Sequence, residues 1–226
     1  MKRRIAAAVL CMVCLLGLCG CGLLTKTYEY KAEENSIYVH ADGQITAAII
    51  EEWDQEYYDL AELTGLAQQQ VLEYNKTYYG VEYYSYDQMT KEQKKQMILP
   101  VSLDSIKVEN GMVILTLTYG NGDAFTGFNG IDIQNNGGTR AYTSSVGSNT
   151  KMPLEGTFVR ATGKNAGEVQ LNEELNAKTD YYMIYVDYAT TIYFEHGVEF
   201  VSNNVYVMAN NMVQTQAGQG SFILFK

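Results

Sequence analysis

Beyond residue 21 this chain has no cysteine, and in all its 226 residues it has only two histidines. Basic side chains are scarce as well, 16 against 26 acidic ones, for a formal charge of −10. Each shortage excludes a chemistry. Without later cysteines the folded part has no disulfide, no thiolate catalyst and no cysteine metal site. His40 and His196, 156 positions apart, match no zinc-ligand spacing and read as solvated residues at hairpin edges. No G-x-S-x-G occurs to set a nucleophile beside a base. The only dense basic runs are Lys2–Arg4 and KEQKK at 91–95, which excludes nucleic acid as a partner. No glycine-rich loop is followed by Lys-Ser/Thr, so no nucleotide is expected. The stretch GNGDAFTGFNGIDIQNN (120–136) offers Asp123, Asn129, Asp132, Asn135 and Asn136, but in no EF-hand spacing, and reads as a polar loop. No catalytic residue, metal or cofactor is therefore assigned.

What the chain does have begins at its first residues. MKRR supplies positive charge, and 14 apolar-rich residues follow from Ile5 to Leu18, short of the ~20 that span a membrane. The segment closes on Leu18-Cys19-Gly20-Cys21. These four residues resemble the lipobox of bacterial lipoproteins, with Cys19 where that family more often has Ala, Ser or Thr. The resemblance implies cleavage after Gly20, a diacylglycerol on the Cys21 thiol and an acyl chain, typically palmitate, on the new amino group. Cys11, Cys14 and Cys19 would leave with the signal peptide, as would Lys2, Arg3 and Arg4. The mature chain would then carry 13 basic against 26 acidic side chains. Anionic headgroups repel such a chain, so lipid has to do the anchoring, and two acyl groups hold far better than one. The expectation is attachment to the extracytoplasmic face of the cell membrane.

From residue 22 to 35 the sequence shows little periodicity and reads as a tether. SIYVH (36–40) and ITAAII (45–50) flank Asp42-Gly43, a hairpin turn signal. Asp59 with Glu62 marks the start of a helix over about 59–76, whose apolar face is Leu60, Leu63, Leu66, Ala67, Val71 and Tyr74. Thr90 with Gln93 marks a short helix through Met97. VSLDSIKVENGMVILTLTY (101–119) is a hairpin turning at Asn110-Gly111, with a bulge expected near Asp104-Ser105. Residues 127–156 hold 16 Gly, Asn, Ser or Thr and read as loops around one short strand at 131–133. Strands follow at 157–162, 181–194, 205–208 and 221–225, with His196-Gly197 as a hairpin turn. The pattern predicts an α+β fold: mainly antiparallel sheet built from hairpins, with one dominant amphipathic helix packed on it. No proline-rich linker divides 36–226, so one domain is expected.

In general pattern, YVHADGQITAAIIEEW (38–53), VLEYN (71–75) and VENGMVILTLTY (108–119) are similar to small clostridial-type lipoproteins of Gram-positive bacteria, a likeness that assigns no activity to any residue. The tyrosines of YNKTYYGVEYYSYDQ suggest a ligand surface at Tyr78, Tyr79, Tyr83, Tyr84 and Tyr86, since flat rings with hydroxyl edges suit sugars and peptides. The expected function is a non-enzymatic binding module of the envelope, with an envelope protein or cell-wall glycan as partner. The alternative is a glycan hydrolase using two carboxylates, for which Glu51, Glu52, Asp54, Glu173 and Glu174 are available. A transporter's solute-binding protein is disfavoured, because the chain lacks two alternating α/β lobes.

Overall fold

A computed structural model describes residues 27–130, 141–149 and 152–226. Cys21, the signal segment and the strand expected at 131–133 lie outside these residues. The fold is α+β, with four helices and thirteen strands in two mostly antiparallel sheets among the described residues. No helix among them is long and apolar enough to cross a membrane.

The first hairpin forms as its turn signal predicts. β1 (Ser36–Val39) pairs antiparallel with β2 (Ile45–Glu52), and Gly43 takes the positive φ (86°) that the turn needs. β3 (Val101–Glu109) and β4 (Met112–Tyr119) form the second hairpin. Its ladder slips by one residue between Leu103 and Ser105, so Asp104 is the bulged residue. The slip keeps Val101, Leu103, Ile106 and Val108 on one face of the strand despite their uneven spacing, the first two buried and Val108 38% exposed. β2 joins β4, and β1 accepts β9 (Thr191–Phe194) as its other neighbour, the one parallel pair in the molecule's described ladders. With β11 (Tyr206–Ala209) and β12 (Met212–Gln214) these make a seven-stranded sheet, ordered β11-β12-β9-β1-β2-β4-β3.

The second sheet has six strands, ordered β5-β8-β13-β10-β6-β7. They are β5 (Ala141–Ser145), β6 (Thr157–Arg160), β7 (Val169–Leu171), β8 (Tyr182–Val186), β10 (Val198–Ser202) and β13 (Ser221–Phe225). Its central strands are buried on both faces. Ile184, Val186, Val201 and Ile223 pack into the main core, shared with Ile37, Ile192 and Phe194 of the first sheet. Met183, Phe200, Phe222 and Leu224 face the other way into a second core closed by Val146, Leu154 and Leu175. The alternation along β8 and β13 thus supplies two cores from one set of strands.

Helix α1 (Leu60–Tyr79) is capped by Asp59, whose carboxylate accepts from the Ala61 and Glu62 amides, and ends at left-handed Gly80. It runs three residues beyond the expected end. Its packing is shallower than its apolar pattern implies: Val71 and Asn75 are its only buried residues, while Leu66 is 52% exposed. Helix α2 (Lys91–Gln96) carries the complete Thr90/Gln93 capping box. Helices α3 (Gly122–Asn129) and α4 (Asn172–Asn176) have no counterpart in the sequence reading.

Three expectations need correction. The run 181–194 is not one strand: β8 lies in the six-stranded sheet and β9 in the seven-stranded one, with the crossing at 187–190. Thr215 pins that crossing, its hydroxyl taking the Thr190 amide and donating to the Tyr188 carbonyl. His196-Gly197 is likewise a passage between sheets, since β9 and β10 are not paired. Finally, Tyr28–Asn35 belong to the fold and not to a tether. The Tyr28 amide donates to the Glu195 carbonyl, and Tyr30 stacks on Tyr38 with centroids 4.9 Å apart.

That strap explains part of the tyrosine abundance. Tyr193 donates to Glu34 across 3.0 Å; its pKa is pushed up to about 12, first by desolvation and then by the Glu34 carboxylate. Burial also raises Tyr30, Tyr38 and the fully buried Tyr119. A folded-state pKa above the ordinary 10.0 contributes stability that is present below pH 10 and lost as pH rises through the folded value. Phenolate absorbance followed with far-ultraviolet dichroism is expected to show a fraction of tyrosines ionising only together with unfolding, between pH 10 and about 12. A single non-cooperative titration centred on 10 would contradict it.

Candidate functional site

The five tyrosines picked from sequence differ in setting: Tyr78 and Tyr79 are exposed, while Tyr83, Tyr84 and Tyr86 are half-buried. Tyr83 accepts from Gln93 Nε2 (2.7 Å), Tyr86 accepts from the Leu99 amide (2.9 Å), and Tyr84 packs on the main core. These three hold the 81–100 segment against the sheet. Tyr78 and Tyr79 set their rings against Tyr74 at 5.0 and 5.8 Å.

The structure instead opens a cavity of about 570 Å³ where the ends of the two sheets meet. One wall is the β1–β2 turn, with His40 and Asp42. A second is the start of α3, with Asp123, held against β5. Asn121 caps that helix by accepting from the Ala124 amide, and Thr126 accepts from the Thr143 amide. Gly122 permits the close approach, since a Cβ there would lie 2.6 Å from the Thr143 methyl. β5 and the turn after it contribute the hydroxyls of Thr143, Ser144, Ser145 and Ser148. The β9–β10 passage brings His196, and the chain end brings Phe225 and Lys226. At one side Tyr182, 54% exposed, stacks on Phe225 with centroids 6.0 Å apart. The Ala41 amide donates to Glu195 at 2.6 Å, tying the turn wall to the passage wall.

Both histidines therefore line one cavity, where the sequence reading left each solvated at its own turn. His196 Nδ1 is shut off from solvent and has no hydrogen-bond partner among the described residues. His40 Nε2 lies 2.9 Å from Thr46 Oγ1. No hydrogen bond joins either ring to a serine among the described residues. Lys226 is paired with Asp180 across 2.6 Å and lies over the Tyr181 ring.

Charge at the bulge is also positioned. Asp104, an exposed residue overall, has its carboxylate tucked against Thr118, which donates to it across 2.6 Å. Desolvation raises its pKa, opposed by the hydrogen bonds from Thr118 and Ser102 and by nearby His40. The carboxylates that sequence offered for hydrolysis lie elsewhere: Glu51 and Glu52 end β2 and Asp54 follows it, all exposed, and Glu173 and Glu174 are exposed on α4. None of them lines the cavity, whereas Asp42 and Asp123 do. The expected polar loop at 120–136 is half helix: 122–129 form α3, and Asp132, Asn135 and Asn136 lie outside the described residues. No group of three or more His, Cys, Asp or Glu among the described residues is placed to hold a metal. Sequence gave no signal for this cavity, because its walls come from segments far apart in the chain. Comparison with protein-family models, with curated proteins and with solved structures finds no match for this chain.

Proposed function

We propose that the chain is a lipid-anchored protein of the extracytoplasmic envelope whose folded part is a binding module for a hydroxyl-rich ligand, a cell-wall glycan. The observation that carries the reading is the cavity between the sheet ends, which sets the exposed Tyr182–Phe225 stack beside histidine, serine, threonine and carboxylate groups. A sugar ring presents an apolar face to an aromatic side chain and hydroxyls to polar ones, so both kinds of wall have a use. Its net negative charge suits an uncharged glycan better than an anionic surface. The anchor rests on the Leu18–Cys21 motif. One observation favours the alternative, a carboxylate-pair hydrolase: Asp42 and Asp123 stand in the walls of the same cavity.

The test is one titration on two preparations. Full-length chain in detergent is titrated with soluble muropeptides and N-acetylglucosamine oligomers by ligand-observed NMR. Saturable binding is expected, weakened about tenfold in Tyr182→Ala. No saturable binding, or equal binding by the variant, would sink the glycan reading. Glycan cleavage that disappears in Asp42→Asn or Asp123→Asn would establish the hydrolase instead. Cys21→Ala is expected to abolish membrane fractionation and lipid labelling; unchanged labelling overturns the anchor.

A further inference from the structure

A line of hydrogen bonds crosses the outer face of the seven-stranded sheet, from the cavity wall to the β3 bulge. His40 Nε2 is 2.9 Å from Thr46 Oγ1, and Thr46 Oγ1 is 2.9 Å from Thr118 Oγ1. Thr118 Oγ1 then donates to Asp104 Oδ2 across 2.6 Å. Taken alone, the first two contacts have no direction. The carboxylate gives them one.

Each threonine hydroxyl has a single proton, and an ionised carboxylate has none to give. The Thr118 proton is committed to Asp104, so Thr118 must accept from Thr46. The Thr46 proton is then committed to Thr118, so Thr46 must accept from His40. The first donor of the line is thus the Nε2–H of His40. A neutral imidazole carries one proton, which leaves Nδ1 with a bare lone pair. No second hydrogen bond engages the ring among the described residues. The Tyr38 ring, edge-on at 4.5 Å, braces it from the side.

We propose that His40 is the fixed hydrogen-bond acceptor of the cavity: its Nδ1 takes a hydroxyl or amide N–H of the ligand, and Asp104, outside the cavity, sets that polarity through Thr118 and Thr46. Asp104, Thr46 and Thr118 are positioning residues, acting only through the ring. The bulge gives this arrangement its anchor, because it sets Asp104 beside Thr118 without moving Ile106 and Val108 off the face they share with Leu103. An acceptor locked in place selects for neutral donors and against anions. That selectivity matches a sugar hydroxyl or acetamido N–H, and this half of the inference rests on the glycan reading.

The tautomer can be measured without any ligand. The chain has two histidines, so the full-length protein labelled with nitrogen-15 histidine gives two imidazoles, separated by the His196→Gln variant. At about pH 8.5, where ordinary histidines are neutral, His40 is expected in the Nε2–H form. Thr46→Val, which keeps the side-chain shape, is expected to leave a mixture of tautomers. Should that variant fail to fold, Thr118→Val breaks the line one step further on and is expected to do the same. A dominant Nδ1–H form in the parent, or an unchanged tautomer once the line is broken, overturns the proposal. The ligand half is read separately, with an N-acetylglucosamine oligomer expected to bind the Thr46→Val chain about tenfold more weakly. Equal affinity overturns that half. No binding by the parent chain overturns the glycan reading and leaves the tautomer result standing.

Discussion

Replacing Asn75 with alanine is expected to cost about 3–5 kcal/mol of stability. Asn75 is fully buried near the end of α1. Its Nδ2 donates to the Tyr83 and Val101 carbonyls, both across 2.7 Å, and its Oδ1 accepts from the Val101 amide across 3.1 Å. One side chain thereby joins the helix, the segment that follows it and the first residue of β3. Alanine would leave the buried Val101 amide and carbonyl and the partly buried Tyr83 carbonyl without these partners, at ~1–3 kcal/mol each before relaxation. Domains of this kind are stable by ~5–15 kcal/mol, so the loss is a large share of the total. Denaturant melts at unchanged slope would read it as a fall in midpoint. Asn75→Asp tests the cause, since the shape is kept while a carboxylate meets two carbonyl oxygens. It is expected to be at least as damaging at neutral pH. A loss below about 1 kcal/mol in either variant would refute the bracing role. The same geometry makes Asn75-Lys76-Thr77 unusable as a glycosylation acceptor once folded, because both amide hydrogens are taken.

The second large effect is expected at Phe125, on α3. The residue is fully buried and meets Tyr119 edge-on at 5.3 Å, and Tyr119 is itself fully buried. Phe125→Ala removes the ring and leaves a cavity, at about 3–5 kcal/mol. At ~2–4 °C per kcal/mol for a chain of this size, the melting temperature should fall by about 10 °C. The effect should not stop at stability. Helix α3 is only eight residues long, and its buried residues are Ala124 and Phe125. Losing the ring should loosen the cavity wall that begins at Asn121, so glycan binding, where present, should weaken further than the Tyr182→Ala loss. A melting temperature within a degree or two of the parent would show that α3 is held by its contacts to β5 alone.

Local chemistry explains which parts of the fold were legible in the sequence. The two early hairpins announce themselves through Asp42-Gly43 and Asn110-Gly111, where glycine supplies the positive φ. Asp59 and Thr90 announce helices because their oxygens satisfy amides that a helix start leaves open. The bulge at Asp104 was visible as a break in alternation. Helix α3 was not, since GDAFTGFN is poor in helix formers and is held by Phe125, Asn121 and Thr126 through contacts to distant strands. A change of sheet leaves no mark either: 181–194 keeps a strand-like run of aromatic and branched residues while the chain passes from one sheet to the other. The candidate site was illegible for a related reason. The register that sets Thr46 opposite Thr118 belongs to β2 and β4, which no turn connects, so local spacing could not reveal it.

The parallel pairing of β1 with β9 has a consequence for how the molecule is made. Residues 36–39 sit in the middle of their sheet, yet one of their two neighbours lies 155 positions further along the chain. Until that neighbour has been synthesised, β1 can pair only with β2, and its other side is an open row of amides and carbonyls. Tyr28 must wait as well, since it bonds to the carbonyl of Glu195. A chain halted anywhere before residue 191 would therefore expose a sticky strand edge near its own beginning. Completion of this sheet is a late event, and nonsense truncations that stop short of residue 191 should be cleared as aggregates rather than survive as shortened proteins.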